Sequence, residues 1–318
     1  MFSKAVMGDT PSIVVISPSP KHDLPTEYSI MEEAKPRNHQ EPTVTITPPP
    51  NTFQKIVAEL MGTYILVFIG CGAALVDREK TLTIVGIAML WGLVLMVVIY
   101  TLGHISGAHV NPAVTIAFAA AQKFPLIQGI LFPDVQRGQG RFRDRNLACM
   151  MPGNVLLQVP MYVLAQLLGA TLACLTLRVL FNDQAVDMRP TVTQYSSSTT
   201  DLQAVILEFI ISFFLMFTIS GVASDHRANQ GFAGIAIGAT VVFNSLVAGP
   251  ITGASMNPAR SIGAAVISGV YKNLWVYVAS PILGAMAAAL AYSLLRQPEI
   301  EKSKETSKSL YNDLYDEP

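Results

Sequence analysis

The sequence predicts an all-α membrane protein of six transmembrane helices plus two half-helices, arranged as an inverted repeat. Three observations predict it. Of 318 residues, 51% are hydrophobic and 14% charged, against roughly 25% charged in soluble domains. Apolar stretches of about 20 residues, the length that crosses a bilayer's hydrocarbon core, recur at roughly 54–76, 82–102, 159–180, 202–224, 231–248 and 274–295. Finally, Ser106-Gly107-Ala108-His109-Val110-Asn111-Pro112-Ala113 aligns without gaps on Thr252-Gly253-Ala254-Ser255-Met256-Asn257-Pro258-Ala259, and self-similarity at a fixed offset marks a repeat.

Residues 1–52 hold nine prolines among Ser, Thr and charged residues. They cannot build a core and read as a disordered N-terminal tail. Residues 53–296 form the membrane domain, and 297–318 a second tail. An even number of spans puts both tails on one side of the membrane. That side, with the second-to-third and fourth-to-fifth connections, carries 15 Lys and Arg against five on the other. The excess predicts that both termini are cytoplasmic.

The repeat reaches beyond the aligned octapeptides. Glu59 lies nine residues before Phe68 in the first span, as Glu208 does before Phe217 in the fourth, and Ala165-Gln166-Leu167-Leu168-Gly169-Ala170 mirrors Ser280-Pro281-Ile282-Leu283-Gly284-Ala285. Each unit has three spans, so the second enters the bilayer from the opposite face. In each Asn-Pro-Ala box, Asn111 or Asn257 reads as a helix N-cap, with Pro112 or Pro258 at the first helical position, where its missing N–H leaves nothing unpaired. Only about 10 apolar residues follow Ala113 and Ala259, enough for a half-helix.

Backbone without helical hydrogen bonds survives at membrane depth only where protein buries it or where it lines a watery cavity. Gly107, Ala108 and His109, with Gly253, Ala254 and Ser255, should therefore turn carbonyls to a pore. Two helix N-termini meeting there bring positive dipole ends, a field that repels cations and a protonated water chain. The pore is expected to pass water and small neutral solutes, with the amides of Asn111 and Asn257 offered to them. Glu59 and Glu208, one per unit, are read as structural support accepting hydrogen bonds from the irregular loops. The small-residue ladders Ala165, Gly169, Ala173 and Ser280, Gly284, Ala288, and the pair Gly234 and Gly238, allow close helix packing.

Other classes find little footing. A net charge of −1 offers no clustered positive excess for a nucleic-acid partner. No span shows catalytic Ser/His, Cys/His or His/Glu spacing, so no enzyme is expected. Cys71, Cys149 and Cys174 are scattered and indicate neither a disulfide framework nor a metal cluster, and His104 and His109 read as packing residues. No cofactor is expected. A secondary transporter, the rival that shares inverted repeats, needs an ion-coupling site that is not visible.

At the twin Asn-Pro-Ala boxes the chain resembles the aquaporins, or major intrinsic proteins. The longer strings Gly103-His104-Ile105-Ser106-Gly107-Ala108-His109 and Gly249 through Arg260 resemble the plant nodulin-26-like branch. The resemblance implies an aquaporin-like right-handed bundle, a passive channel in each protomer, a homotetramer, and the plasma membrane as the commoner location. It also places a selectivity filter at Trp91, Ser245, Ala254 and Arg260. Trp91 stands as in members passing water and glycerol, whereas Ser245 departs from both the His of strict water channels and the aliphatic residue usual in the branch. A small polar wall there favours glycerol, urea, or neutral metalloid acids such as boric or silicic acid. C-terminal tails in the family are often phosphorylated, which makes Ser303 and Ser307 candidates for a kinase.

One stretch breaks the register. Asn111 to Asn257 is an offset of 146, but Ala165 to Ser280 is 115. About 30 extra residues are assigned to 129–158, a segment without helical or strand periodicity. It reads either as a retained intron or as a genuine cytoplasmic loop, in which case a non-conducting homologue is the alternative function.

Overall fold

The computed structural model describes residues 48–77, 82–121, 155–181, 187–225 and 227–295. Among the described residues six helices are long and apolar enough to cross a membrane: α1 (Thr52–Val76), α2 (Thr83–Ser106), α4 (Val155–Leu180), α5 (Asp201–Ser224), α6 (Ala233–Thr252) and α8 (Leu274–Leu295). Two shorter ones, α3 (Pro112–Ala121) and α7 (Pro258–Ser268), follow the two boxes. Strands are absent among the described residues.

The helix starts obey the repeat. Asn51 caps α1 in a reciprocal box with Gln54, and Thr200 caps α5 in the same way with Gln203. Each pair satisfies two backbone donors that a helix N-terminus otherwise leaves open. Both α2 and α6 run four residues past their predicted ends, and each stops on a glycine in the left-handed region, Gly107 at φ 89° and Gly253 at φ 84°. Glycine enters that region without a Cβ penalty. Helix α4 begins at Val155, so the last four residues of the predicted 129–158 insert form its first turn. The rest of that segment up to 154 lies outside the described residues, as do Cys149, Ser303, Ser307 and both predicted tails apart from 48–52.

Packing repeats the same symmetry. Helix α1 lies against α2 and α4, α5 lies against α6 and α8, and each half-helix packs chiefly on the last helix of the other unit, α3 on α8 and α7 on α4. Glycines allow these approaches: a Cβ on Gly169 would fall 2.4 Å from the Leu60 carbonyl oxygen, one on Gly284 2.2 Å from that of Phe209, and those on Gly92 and Gly238 2.5 and 2.7 Å from each other's carbonyl oxygens. Backbones brought together with no side chain between them gain dispersion contacts in lipid, where no hydrophobic force draws helices together. Large aliphatic side chains such as Ile65, Leu164, Leu168 and Leu172 face outward, as a lipid-facing surface requires.

Beyond the end of α5, Asp225 is 2% exposed and accepts hydrogen bonds from Arg227 Nε at 2.9 Å, the Arg227 backbone N–H at 3.0 Å and the Tyr292 hydroxyl at 3.0 Å, tying α5 to α8. The Arg227 guanidinium chiefly, then its backbone N–H and the Tyr292 hydroxyl, hold the carboxyl well below the usual carboxylate range, against the opposing effect of burial. A depressed pKa gives stability that is complete above the unfolded value near 4 and lost as pH falls through the folded one. Asp225→Asn is therefore expected to lower stability at pH 7 by about 1–2 kcal/mol. Thermal melts in detergent should show that difference shrinking only below about pH 4.

Candidate functional site

The two irregular loops, 107–111 and 253–257, enter between the helices and meet. Their backbones match residue for residue: Gly107, Ala108 and Val110 have φ of 89°, 46° and 43°, and Gly253, Ala254 and Met256 of 84°, 45° and 53°. Left-handed conformations of alanine, methionine and above all β-branched valine are strained, and persist only where the surroundings enforce them.

Two buried carboxylates accept hydrogen bonds from these loops. Glu59, 0% exposed, accepts from Ser106 Oγ at 2.7 Å, His109 N at 2.9 Å, Val110 N at 2.7 Å and Gln166 Nε2 at 2.7 Å. Glu208, also 0% exposed, accepts from Thr252 Oγ1 at 2.7 Å, Ser255 N at 3.0 Å and Met256 N at 3.0 Å. The units differ where the second has Pro281 at the position equivalent to Gln166 in the first. A tyrosine closes each site from the last helix of its unit: the Tyr162 hydroxyl donates to Ser106 O at 3.0 Å and that of Tyr277 to Thr252 O at 2.7 Å.

The asparagines join the loops. Asn111 Oδ1 accepts from Ala113 N at 2.9 Å and Asn257 Oδ1 from Ala259 N at 3.0 Å, capping the half-helices. Their amide nitrogens cross over: Asn111 Nδ2 donates to Met256 O at 2.8 Å and Asn257 Nδ2 to Val110 O at 2.9 Å. A primary amide has two N–H donors, so each cross-link leaves one free. Half-helix N-termini are thereby fixed next to each other with their positive ends converging.

Both asparagines line a cavity of about 80 Å³, room for several waters at roughly 10–15 Å³ per water centre. Trp91, Ser245, Ala254 and Arg260 line it too, as do Gly107, His109 and Ser255. Ala108, Gly253 and the Pro-Ala pairs are not among its lining residues; Pro112, Ala113, Pro258 and Ala259 lie in the buried first turns of α3 and α7. Much of the remaining wall is aliphatic, with Leu66, Ile99, Val114, Ile237 and Val241.

Arg260 is 8% exposed and is the one formally charged residue lining the cavity among the described residues. Its guanidinium carbon stands 5.2 Å from the centroid of the Trp91 ring, within cation–π range. His109 is buried between Phe118 and Tyr162, with Nδ1 3.2 Å from Thr115 Oγ1. Cys71 and Cys174 are free thiols, 1% and 0% exposed, and His104 is exposed on α2.

Val110 and Met256, whose carbonyls receive the asparagine bonds, were missed from the sequence, as were Tyr162 and Tyr277. All four were within reach. Val110 and Met256 precede the paired asparagines directly, and Tyr162 to Tyr277 is the same offset of 115 that relates Ala165 to Ser280.

Comparison with known proteins gives one consistent family. The model of the major intrinsic protein family matches residues 48–138 and 146–292. Aquaporin NIP1-1 of Oryza sativa subsp. japonica is 46% identical over 264 residues, 81% of each chain. Nodulin-26 of Glycine max is 47% identical over 258 residues, 80% of this chain and 82% of its own. Among solved structures, the aquaglyceroporin from Plasmodium falciparum superposes with a TM-score of 0.57 at 21% identity, covering 76% of this chain and 96% of that one, a likeness of fold.

Proposed function

Because the chain belongs to the major intrinsic protein family, and is thus a passive channel for water and small solutes and not an enzyme, we propose a filter set for neutral solutes larger than water. The observation that carries this is the set of side chains around one cavity: two small ones, Ser245 and Ala254, together with Trp91 and the guanidinium of Arg260. Trp91 gives an apolar face for carbon-bound hydrogens. Arg260 and the free amide N–H of Asn111 and Asn257 give donors for hydroxyl or carbonyl oxygens. Glycerol presents both, while urea and boric or silicic acid share the oxygen acceptors and lack only the carbon-bound hydrogens. Cations meet the guanidinium and the converging helix N-termini, both repulsive.

In this reading Glu59 and Glu208 are structural supports that hold the strained loops, and the carbonyls of Gly107, His109 and Ser255 accept hydrogen bonds from the solute. The Lys and Arg excess on the tail side supports cytoplasmic termini. The family resemblance implies a homotetramer and a plasma-membrane location, and the same reading makes Ser303 and Ser307 the candidates for a kinase. The domain reading keeps a tail at 1–52, a channel domain at 53–296 and a tail at 297–318. A transcript joining Gln128 to Val159 would mark 129–158 as a retained intron, although its last residues now form a turn of α4.

Stopped-flow swelling of proteoliposomes in glycerol, urea and boric acid gradients tests the filter. Ser245→His is expected to cut glycerol flux by about tenfold or more, as a group of that size does in a fitted pocket, while water flux falls far less. Equal losses for every solute would count against the assignment of Ser245 to the filter.

A further inference from the structure

We propose that Gly70 on α1 is a positioning residue for solute selection: with no side chain there, the Trp91 indole lies back against α1, and the width of the filter depends on that seat. The proposal rests on the reading of Trp91 and Arg260 as filter residues.

A glycine inside a helix lowers helix stability relative to alanine, so a buried one needs a compensating contact. At Gly92, Gly169, Gly238 and Gly284 that contact is the backbone of a crossing helix. Gly70 differs. A Cβ built on it would meet the indole of Trp91, at 2.3 Å from Cε2, 2.4 Å from Cδ2 and 2.4 Å from Cζ2. Three near-equal distances to atoms around the fused bond place that Cβ on the body of the ring. The indole is rigid, so no flexible end can swing aside.

Carbon atoms in contact sit about 3.5–4.0 Å apart, so relief requires a movement of roughly 1 Å. Helix α1 is poorly placed to retreat, because its backbone is already in contact with α4 where Gly169 meets the Leu60 carbonyl. The indole lines the cavity and has the Arg260 guanidinium 5.2 Å from its centroid. A displaced ring therefore moves into the pore or onto the guanidinium, and either narrows the path. Water loses little from such a change, whereas a solute of glycerol size loses its clearance.

The test uses full-length protein in proteoliposomes, with water and glycerol permeabilities normalised to folded protein for Gly70→Ala, Trp91→Phe, Trp91→Ala and the double variant Gly70→Ala/Trp91→Phe. Gly70→Ala is expected to lower glycerol flux about tenfold, the penalty for one misplaced methyl-sized group in a fitted site, and water flux less than about threefold. The smaller phenyl ring should restore glycerol flux in the double variant to within about twofold of Trp91→Phe alone, because coupled neighbours are not additive. Parallel losses of water and glycerol, or no rescue by the smaller ring, would overturn the proposal. If Gly70→Ala accumulates poorly by itself, recovery of folded protein and glycerol flux in the double variant supports the seat and failure to recover overturns it. A water-to-glycerol ratio unchanged in Trp91→Ala would sink the filter reading, and this proposal with it.

Discussion

Glu59→Ala is expected to leave almost no folded channel, and to do so more severely than Glu208→Ala. The Glu59 carboxylate is the shared acceptor for two backbone N–H groups, a hydroxyl and an amide, all buried. Deleting it strands four donors where water cannot reach them. Each unsatisfied buried donor costs about 1–3 kcal/mol, so the upper bound, roughly 4–12 kcal/mol, spans most of the stability of an ordinary domain. The strained φ of Ala108 and Val110 then has nothing to enforce it, and the loop can relax out of register with Asn257. Glu208 serves three donors in place of four, since Pro281 stands where Gln166 does in the first unit. Glu208→Ala is therefore the milder lesion. Monodisperse yield and melting temperature in detergent measure both. A Glu59→Ala protein that melts within a few degrees of the parent, or melts higher than Glu208→Ala, would show that the loops hold their shape by packing alone.

The duplicated octapeptide made most of the architecture readable, because a chain that writes Asn-Pro-Ala twice marks two helix starts, and the three spans in each unit give them opposite entry. Six spans followed from length and hydropathy, properties the bilayer enforces directly. Helix ends were less legible. The extensions of α2 to Ser106 and α6 to Thr252 run through Gly103 and Gly249-Pro250, residues that read as helix breakers in isolation but are tolerated inside membrane helices. Capping boxes at Asn51 and Thr200 stand 149 residues apart, the same offset as Glu59 and Glu208, so the repeat held that signal. What no pattern in a single sequence carries is the crossing of the amides. That Asn111 donates to Met256 and Asn257 to Val110 depends on where two loops from opposite ends of the bilayer meet. Gly70 is illegible for the same reason: its neighbour in space, Trp91, is on another helix.

Arg260→Val is expected to let cations through while raising the flux of bulky neutral solutes. Arg260 lies three residues into the cap of Asn257, and its backbone N–H is 3.4 Å from Asn257 Oδ1, so the half-helix start survives replacement of the side chain. Valine removes the one formal charge lining the cavity among the described residues and frees the volume of the guanidinium in front of Trp91. A unit charge about 4 Å from a permeating ion contributes roughly 1–4 kcal/mol between bulk water and a partly hydrated site. Loss of that barrier corresponds to an increase in proton or alkali-cation leak on the order of 5- to 1000-fold. The leak should stay bounded, because the N-termini of α3 and α7 still converge on the amides of Asn111 and Asn257 and still repel positive charge. Adding Asn257→Asp to Arg260→Val introduces a carboxylate at those dipole ends and should raise the leak again. Two barriers acting in series make the second change larger in the Arg260→Val background than alone. Proteoliposomes loaded with a pH-sensitive dye report the leak, and light scattering reports glycerol and urea in the same preparation. Unchanged leak together with an unchanged water-to-glycerol ratio would reduce Arg260 to a packing partner of Trp91, and selection would then have to reside in the two asparagines.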